Sequence, residues 1–165
     1  MAAFDCELTA LLPRLRRFAG ALARTAADAD DLAQGAVERA LRSQDQWQPG
    51  TRFDAWLFRI TRNLWIDTVR ARGRAAKHLA PEEAGLTVGV HPLADLEARS
   101  DLAVLLQALN QLPDEQREVI ALVTIEGLGY AEAAAVLDLP IGTVSSRMLR
   151  GRQALLVLLR TDHDD

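Results

Sequence analysis

The chain has 165 residues, a formal net charge of −4, 49% hydrophobic residues and 5% aromatics. That length allows one ordinary domain or two small ones, and a composition led by Ala and Leu favours helices over strands. The single Cys6 excludes an internal disulfide. No CxxC or His–Cys grouping offers a structural metal site, and His78, His91 and His163 are too scattered for a local ligand motif, so no metal or other cofactor is expected.

The opening stretch MAAFDCELTALLPRLRR lacks the basic-then-apolar order of a signal peptide, and no apolar run reaches the roughly 18 residues of a membrane span. A soluble cytoplasmic protein without membrane insertion is expected. Leu8, Leu11, Leu12, Leu15, Ala19 and Leu22 recur at the spacing of an amphipathic helix. Pro13 interrupts it, so the helix either starts there or bends there. The next segment opens with Asp28, a good N-cap, with Asp31 where a capping-box acid would sit. Ala29, Leu32, Ala33, Ala36, Val37, Ala40 and Leu41 then form one apolar stripe, opposite Asp30, Asp31, Gln34, Glu38 and Arg42. QPG at 48–50 ends this element, and a third helix is predicted from about Thr51 to Arg72.

On that third helix Phe53, Trp56, Leu57, Ile60 and Leu64 form an apolar stripe that is most simply core. Phe58, Trp65 and Val69, with Arg62 among them, form a second stripe on the opposite side. A helix apolar on two sides is usually buried on both, yet aromatics mixed with arginine also suit the stacking and neutralising of unpaired bases. Both readings stay open. From about 75 to 94 periodicity is lost and Gly85, Gly89, Pro81 and Pro92 appear, which predicts a flexible linker.

Beyond it, Leu102, Leu105, Leu106 and Leu109 mark one helix, and Pro113 opens a second with Val119, Ile120 and Val123. GLG at 127–129 precedes a short helix, Tyr130 to Leu137, and DLP turns the chain into a last helix. The sequence YAEAAAVLDLPIGTVSSRMLRGR has the helix-turn-helix plan. Val144, Met148, Gly151 and Leu155 line the face expected to pack inward, while Ser146, Arg150 and Gln153 project away, with Arg147 and Arg152 on the flanks. The fold class expected is all-α: two small helical domains on a flexible linker, each with a marginal core that a partner helps to hold.

Charge is segregated along this plan. Residues 59–77 carry six basic side chains and one acid, residues 78–138 carry two arginines against eleven acids, and residues 139–160 carry four arginines and no acid. Nucleic-acid binding needs a local positive patch, which an acidic chain can still supply, although a charge run alone is more often a solvated helix face.

Four stretches, DADDLAQ, FDAWLFRITRNLWIDTVRAR, LPDEQREVI and GLGYAEAAAVLDLPIGTVSSRMLRGRQAL, resemble in order and spacing the extracytoplasmic-function (ECF) subgroup of bacterial RNA polymerase sigma factors. The resemblance implies a sigma region 2-like domain at 1–74, a linker at 75–94, a region 4-like helix-turn-helix domain at 95–160 and an acidic tail at 161–165. It implies a dissociable subunit that binds core RNA polymerase and promoter DNA, recognises and opens promoters, and has no catalytic chemistry or small-molecule substrate of its own. An anti-sigma factor is the expected inhibitor, hiding the DADDLAQ face and the last helix together.

Residue by residue, Asp30, Asp31 and Gln34 match the polymerase-docking surface. Arg59, Arg62, Asn63, Arg70 and Arg72 match the basic promoter-melting helix, and the loop Gln48 to Arg52 matches part of a pocket for a flipped base of the −10 element. Thr143, Ser145, Ser146, Arg147 and Arg150 match the helix that reads the −35 element. Four positions depart from the family. Gly35 stands where an acid is usual, and a mid-helix glycine costs up to about 1 kcal/mol, which is expected to weaken docking. Gly129 replaces a Ser N-cap, Asp138 replaces a turn glycine and can take the left-handed conformation with some strain, and Ser145 stands where many relatives carry Lys or Arg.

The runner-up is a sigma-like decoy that titrates an anti-sigma factor without touching DNA; the retained basic islands argue against it. A plain helix-turn-helix repressor leaves DADDLAQ unexplained. An enzyme is disfavoured because no nucleophile, base and metal grouping is present.

Overall fold

The computed structural model describes residues 2–78 and 101–161. Helix α1 spans Ala2–Leu22, α2 Ala26–Arg42 and α3 Phe53–His78, with a 3-10 turn at Gln44–Gln46 between the last two. After the undescribed stretch come α4 (Asp101–Gln111), α5 (Asp114–Ile120), α6 (Tyr130–Leu137) and α7 (Ile141–Thr161). The described residues contain no strand.

Helix α1 runs straight through Pro13 in sequence instead of starting there. The residue forfeits one backbone hydrogen bond, worth about 3 kcal/mol or more with its steric cost. Phe4, Leu8, Leu11, Leu15, Phe18 and Leu22 are all buried along the same helix, at about 1.5–3 kcal/mol each, and that sum outweighs the proline. The start of α2 also differs from expectation. Thr25, not Asp28, is the N-cap: its backbone is extended (φ −124°, ψ 155°) and its hydroxyl accepts from the Asp28 N–H at 3.1 Å. Asp28 therefore lies one turn inside the helix, where its charge favours the positive end of the dipole.

Helix α3 begins at Phe53 and continues to His78, four residues into the stretch assigned to the linker. Arg74, Ala75, Ala76 and Lys77 are good helix formers, and cations suit a helix C-terminus. The rest of the expected linker, 79–94, lies outside the described residues, as does the acidic tail beyond Thr161. In the second unit, a π-helical turn at Ala121–Ile125 extends α5. It closes with the Glu126 N–H on the Ala121 carbonyl at 2.9 Å. At the turn between α6 and α7, Asp138 adopts the left-handed conformation, φ 54°.

Two cores result. The first lies wholly within residues 2–78: Phe4, Leu8, Leu11, Leu15, Ala36, Ala40, Phe53 and Leu57, capped by edge-to-face contacts of Phe4 with Phe53 (5.3 Å) and of Trp47 with Phe53 (5.2 Å). The second runs across both units. Phe18, Leu22, Leu32, Phe58 and Trp65 join Leu109, Leu112, Val119, Ile120, Leu122, Val136, Val144 and Met148 in one buried cluster. The first unit thus has a core of its own, and a second core is shared between the two units. What helps hold each marginal domain is the other, because the second apolar side of α3 (Phe58 and Trp65) needs a cover.

Candidate nucleic-acid interface

Helix α2 turns its Ala-rich stripe inward and leaves Asp30, Asp31 and Gln34 exposed together. Gln34 donates only to Glu38, at 3.3 Å on the same face. Asp28, one turn earlier, accepts two hydrogen bonds from Arg72 of α3, at 2.6 and 2.9 Å. That guanidinium holds the Asp28 carboxyl below its usual range. Gly35 is where α2 meets α3: a Cβ there would stand 2.9 Å from Leu64 Cδ2. The glycine therefore permits a close helix approach and faces α3 more than solvent, so its effect on the acidic face is indirect.

Thr51 closes the loop before α3 by bonding back to the Gln48 carbonyl through its N–H (3.1 Å) and its hydroxyl (2.7 Å). Gln48 is left exposed. Arg52 donates to Asp54 at 2.6 and 3.0 Å and also to Glu132 on α6. Burial pushes the Asp54 carboxyl up, but Arg52, the Ala55 N–H and Arg14 outweigh it and the group stays below its usual value.

Along α3 the arginines meet three different fates. Arg59 donates to the Ala135 carbonyl and Arg62 to both oxygens of Glu118, at 3.1 and 3.3 Å. Arg72 is tied to Asp28 in its own unit. Asn63 and Arg70 are exposed. Arg70 lines a cleft of about 220 Å³ with Trp65, Ile66, Val69, Arg117 and Glu118, between α3 and α5. Phe58 and Trp65 are buried, at 0% and 9% exposure, whereas Val69 is 40% exposed. The second stripe of α3 is therefore buried at Phe58, whose ring lies 4.8 Å from that of Phe18 on α1, and at Trp65, which faces α5 across the cleft.

The last helix sits where a glycine lets it. A Cβ on Gly151 would come 2.8 Å from Ile120 Cδ1 and 3.3 Å from Gln116 Cβ, so α7 lies against α5 at a separation no other residue permits without displacement. Val144 and Met148 are buried on the same side. Arg150, Arg152 and Gln153 are exposed, while Thr143, Ser145, Ser146 and Arg147 are partly covered. The Ser146 hydroxyl donates to the Thr143 carbonyl at 3.1 Å. Arg147 lies 3.5 Å from Glu115 and 3.9 Å from Glu118. At the head of α6, Gly129 has no side chain to cap with, but Glu132 accepts its N–H at 2.9 Å. That bond, with Arg52, holds the Glu132 carboxyl below its usual value.

Several residues that the sequence did not single out organise this surface. Glu126 has a side chain 0% exposed and accepts from Arg14 (3.0 Å) and Arg17 (2.9 Å) of α1. Arg117 is 1% exposed; its Nη2 donates to the Leu22 carbonyl at 2.8 Å and to Asp114 at 2.6 Å. Burial pushes its guanidinium below the usual range. The available signal was the acidic bias of residues 78–138 against two basic islands, but bias alone names no pair.

Two family models match the chain: Sigma-70 region 2 over residues 8–75 and Sigma-70, region 4 over residues 102–155. The chain is 39% identical to the ECF RNA polymerase sigma factor EcfG of Rhodopseudomonas palustris, over 94% of this chain and 84% of that protein. It is 43% identical to the ECF sigma factor SigE of Mycolicibacterium smegmatis over 86% of this chain, which spans 56% of that longer relative. Among solved structures, the sigma factor RpoE of Bartonella quintana, in complex with the anti-sigma factor NepR, superposes with a TM-score of 0.81. That match has 36% identity and covers 98% of this chain and 99% of that one.

Proposed function

Because this chain belongs to the ECF subgroup of RNA polymerase sigma factors, we propose that it is a dissociable initiation subunit, joining core RNA polymerase and directing it to promoters. Residues 1–74 form the polymerase- and −10-binding domain and residues 95–160 the −35-binding domain, with 75–94 between them. Asp30, Asp31 and Gln34 dock on polymerase. Gln48 and Arg52 receive a flipped base of the −10 element, and Arg59, Arg62, Asn63, Arg70 and Arg72 neutralise the melted strand. Extruding one base costs a few kcal/mol, which charge neutralisation and stacking offset.

On α7, Thr143, Ser145, Ser146 and Arg147 face base edges from the first turns and Arg150 reaches phosphate, as a recognition helix does in the major groove. An arginine fork on guanine contributes about 1–3 kcal/mol of discrimination, more than serine offers. The protein works where polymerase works, in the cytoplasm; among the described residues no helix is long and apolar enough to cross a membrane. An anti-sigma factor is the proposed inhibitor, as for the RpoE to which the chain is similar.

The observation that carries this reading is the order of parts. An exposed acidic face on α2, an arginine-rich α3 and a helix-turn-helix with Arg150 outward follow one another in the sequence of region 2 and region 4. Run-off transcription with core polymerase on a promoter library tests it. Transcripts that depend on the added chain are expected; no RNA from any template would overturn it.

A further inference from the structure

Among the described residues, four buried side-chain polar atoms lack a hydrogen-bond partner, and two of them, Nε and Nη1, belong to Arg117. Its Nη2 is spent on the Leu22 carbonyl and Asp114. A guanidinium carries five N–H donors and no acceptor, so the three on Nε and Nη1 are idle. A buried donor without an acceptor is costly, most of all on a charged group. Arg117 also lines the cleft of about 220 Å³ between α3 and α5. Exposure falls from Val69 (40%) and the exposed Arg70 at its mouth to Trp65 (9%) and Arg117 (1%) within.

The cleft is apolar along Leu22, Trp65, Ile66 and Val69, and its acids, Asp114 and Glu118, are already matched. Asp114 accepts from Arg24 at 3.0 Å and from Arg117 at 2.6 Å. Glu118 accepts from Arg62 with both oxygens and lies 3.9 Å from Arg147. Arg70, by contrast, makes no hydrogen bond or ion pair among the described residues. Guanidinium donors therefore outnumber the carboxylate acceptors here, beside an indole ring.

We propose that this cleft is a binding site for a small aromatic carboxylic acid, its carboxylate taken by Arg70 and Arg117 and its ring lying against Trp65 and Val69. A carboxylate accepts charge-assisted hydrogen bonds from guanidinium groups, and a flat ring packs well on an indole. Drug-sized ligands occupy pockets from about 300 Å³ upward, so this smaller space suits a single-ring acid and is too small for a nucleotide. A bare inorganic anion would satisfy the arginines but leave the apolar walls uncovered. The site itself does not rest on the sigma-factor reading. Its one consequence for that reading is that an occupied cleft withdraws Arg70 from the set proposed for the melted strand.

The test uses the full chain with phenylacetate as the probe, phenylacetamide as its uncharged counterpart and inorganic phosphate as an anion without a ring. Binding is read from tryptophan emission, since Trp65 alone of the three tryptophans lines the cleft. Thermal unfolding gives a second readout, because a ligand of the folded state raises Tm. Phenylacetate is expected to change the emission saturably and to raise Tm, with phenylacetamide and phosphate each binding at least about tenfold more weakly. Arg70→Gln, at an exposed position, should weaken phenylacetate by about the same factor, and Val69→Asp, which sets a carboxylate at the mouth, should abolish its binding. Arg117→Gln should abolish it too; should that variant misfold, the two variants at the mouth decide the matter. Equal binding of the acid and either control, no saturable change, or unaltered binding in both mouth variants overturns the proposal. No polymerase or promoter enters these measurements, so a failure here leaves the sigma-factor reading standing, and a failure of run-off transcription leaves the site standing.

Discussion

Gly151 of α7 and Ile120 of α5 touch so closely that any side chain at 151 would begin 2.8 Å from Ile120 Cδ1. Ile120 is itself 2% exposed, so it has little room to yield. The pair therefore sets how deeply the last helix seats and how far Arg150 and Arg152 project. Overpacking of this kind costs about 1–3 kcal/mol. Gly151→Ala is expected to lose that much in urea unfolding and to weaken −35 binding. Adding Ile120→Val, which removes the crowded Cδ1, should restore part of the stability. A Gly151→Ala protein as stable as its parent would show that the contact is slack.

The tie between Asp28 and Arg72 gives a pH prediction. The folded-state Asp28 carboxyl is depressed, so its contribution to stability is complete above the unfolded carboxylate range near pH 4 and is lost as pH falls through the folded value. Asp28→Asn should cost on the order of 1 kcal/mol at pH 7. The gap to the parent should narrow on acidification below about pH 4. Urea midpoints across that range check it, and a gap that widens on acidification would contradict the assignment.

Asp31 is exposed on α2 and, among the described residues, makes no hydrogen bond or ion pair, acting on Arg72 only through charge at a distance. Asp31→Lys is therefore expected to leave stability within about 0.5 kcal/mol while lowering affinity for core polymerase at least tenfold. Titration of labelled core enzyme checks it. Unchanged affinity would remove α2 from the docking surface.

Arg150 is exposed and is proposed to meet phosphate. Replacing it with Gln should weaken promoter binding by the polymerase complex similarly across sequences and lower the salt slope by about 0.9. Arg147→Gln should instead relax sequence preference at a −35 position. A parent complex whose promoter affinity does not respond to salt would favour the decoy reading.

For the free chain, stability and closure should fall together with added salt only in part. Apolar contacts of Leu22, Phe58 and Trp65 in the shared core persist when Arg52–Glu132, half-exposed on both sides, is screened. Scattering between low and 0.5 M salt should show partial expansion; a size that does not change with salt would show that the exposed pair adds nothing to the packing of the two units.

What the sequence determined was local and periodic. The stripes at Leu8 to Leu22 and Ala29 to Ala40, the break at Gly127 to Gly129 and the left-handed turn at Asp138 each follow from side-chain chemistry within a few residues. The exposed trio Asp30, Asp31 and Gln34 followed from helical period alone. Near the helix starts that logic slipped, because Thr25 and Asp28 are both competent caps and only packing against α3, where Arg72 waits, decides between them. Gly35 reads as a weak point of an isolated helix and Gly151 as part of an inward face; in the fold each lets its helix approach a neighbour so closely that a Cβ would crowd it.

The tertiary structure alone decided which charges meet. Glu118 with Arg62, and Glu126 with Arg14 and Arg17, join positions 56, 112 and 109 residues apart, a separation over which no periodicity or propensity carries information. It also decided that Phe58 and Trp65 lie in a core shared with a second helical unit. Apolar surface demands burial without naming its partner, since the hydrophobic effect is non-directional; shape and charge complementarity, which exist only once both units are folded, make the choice.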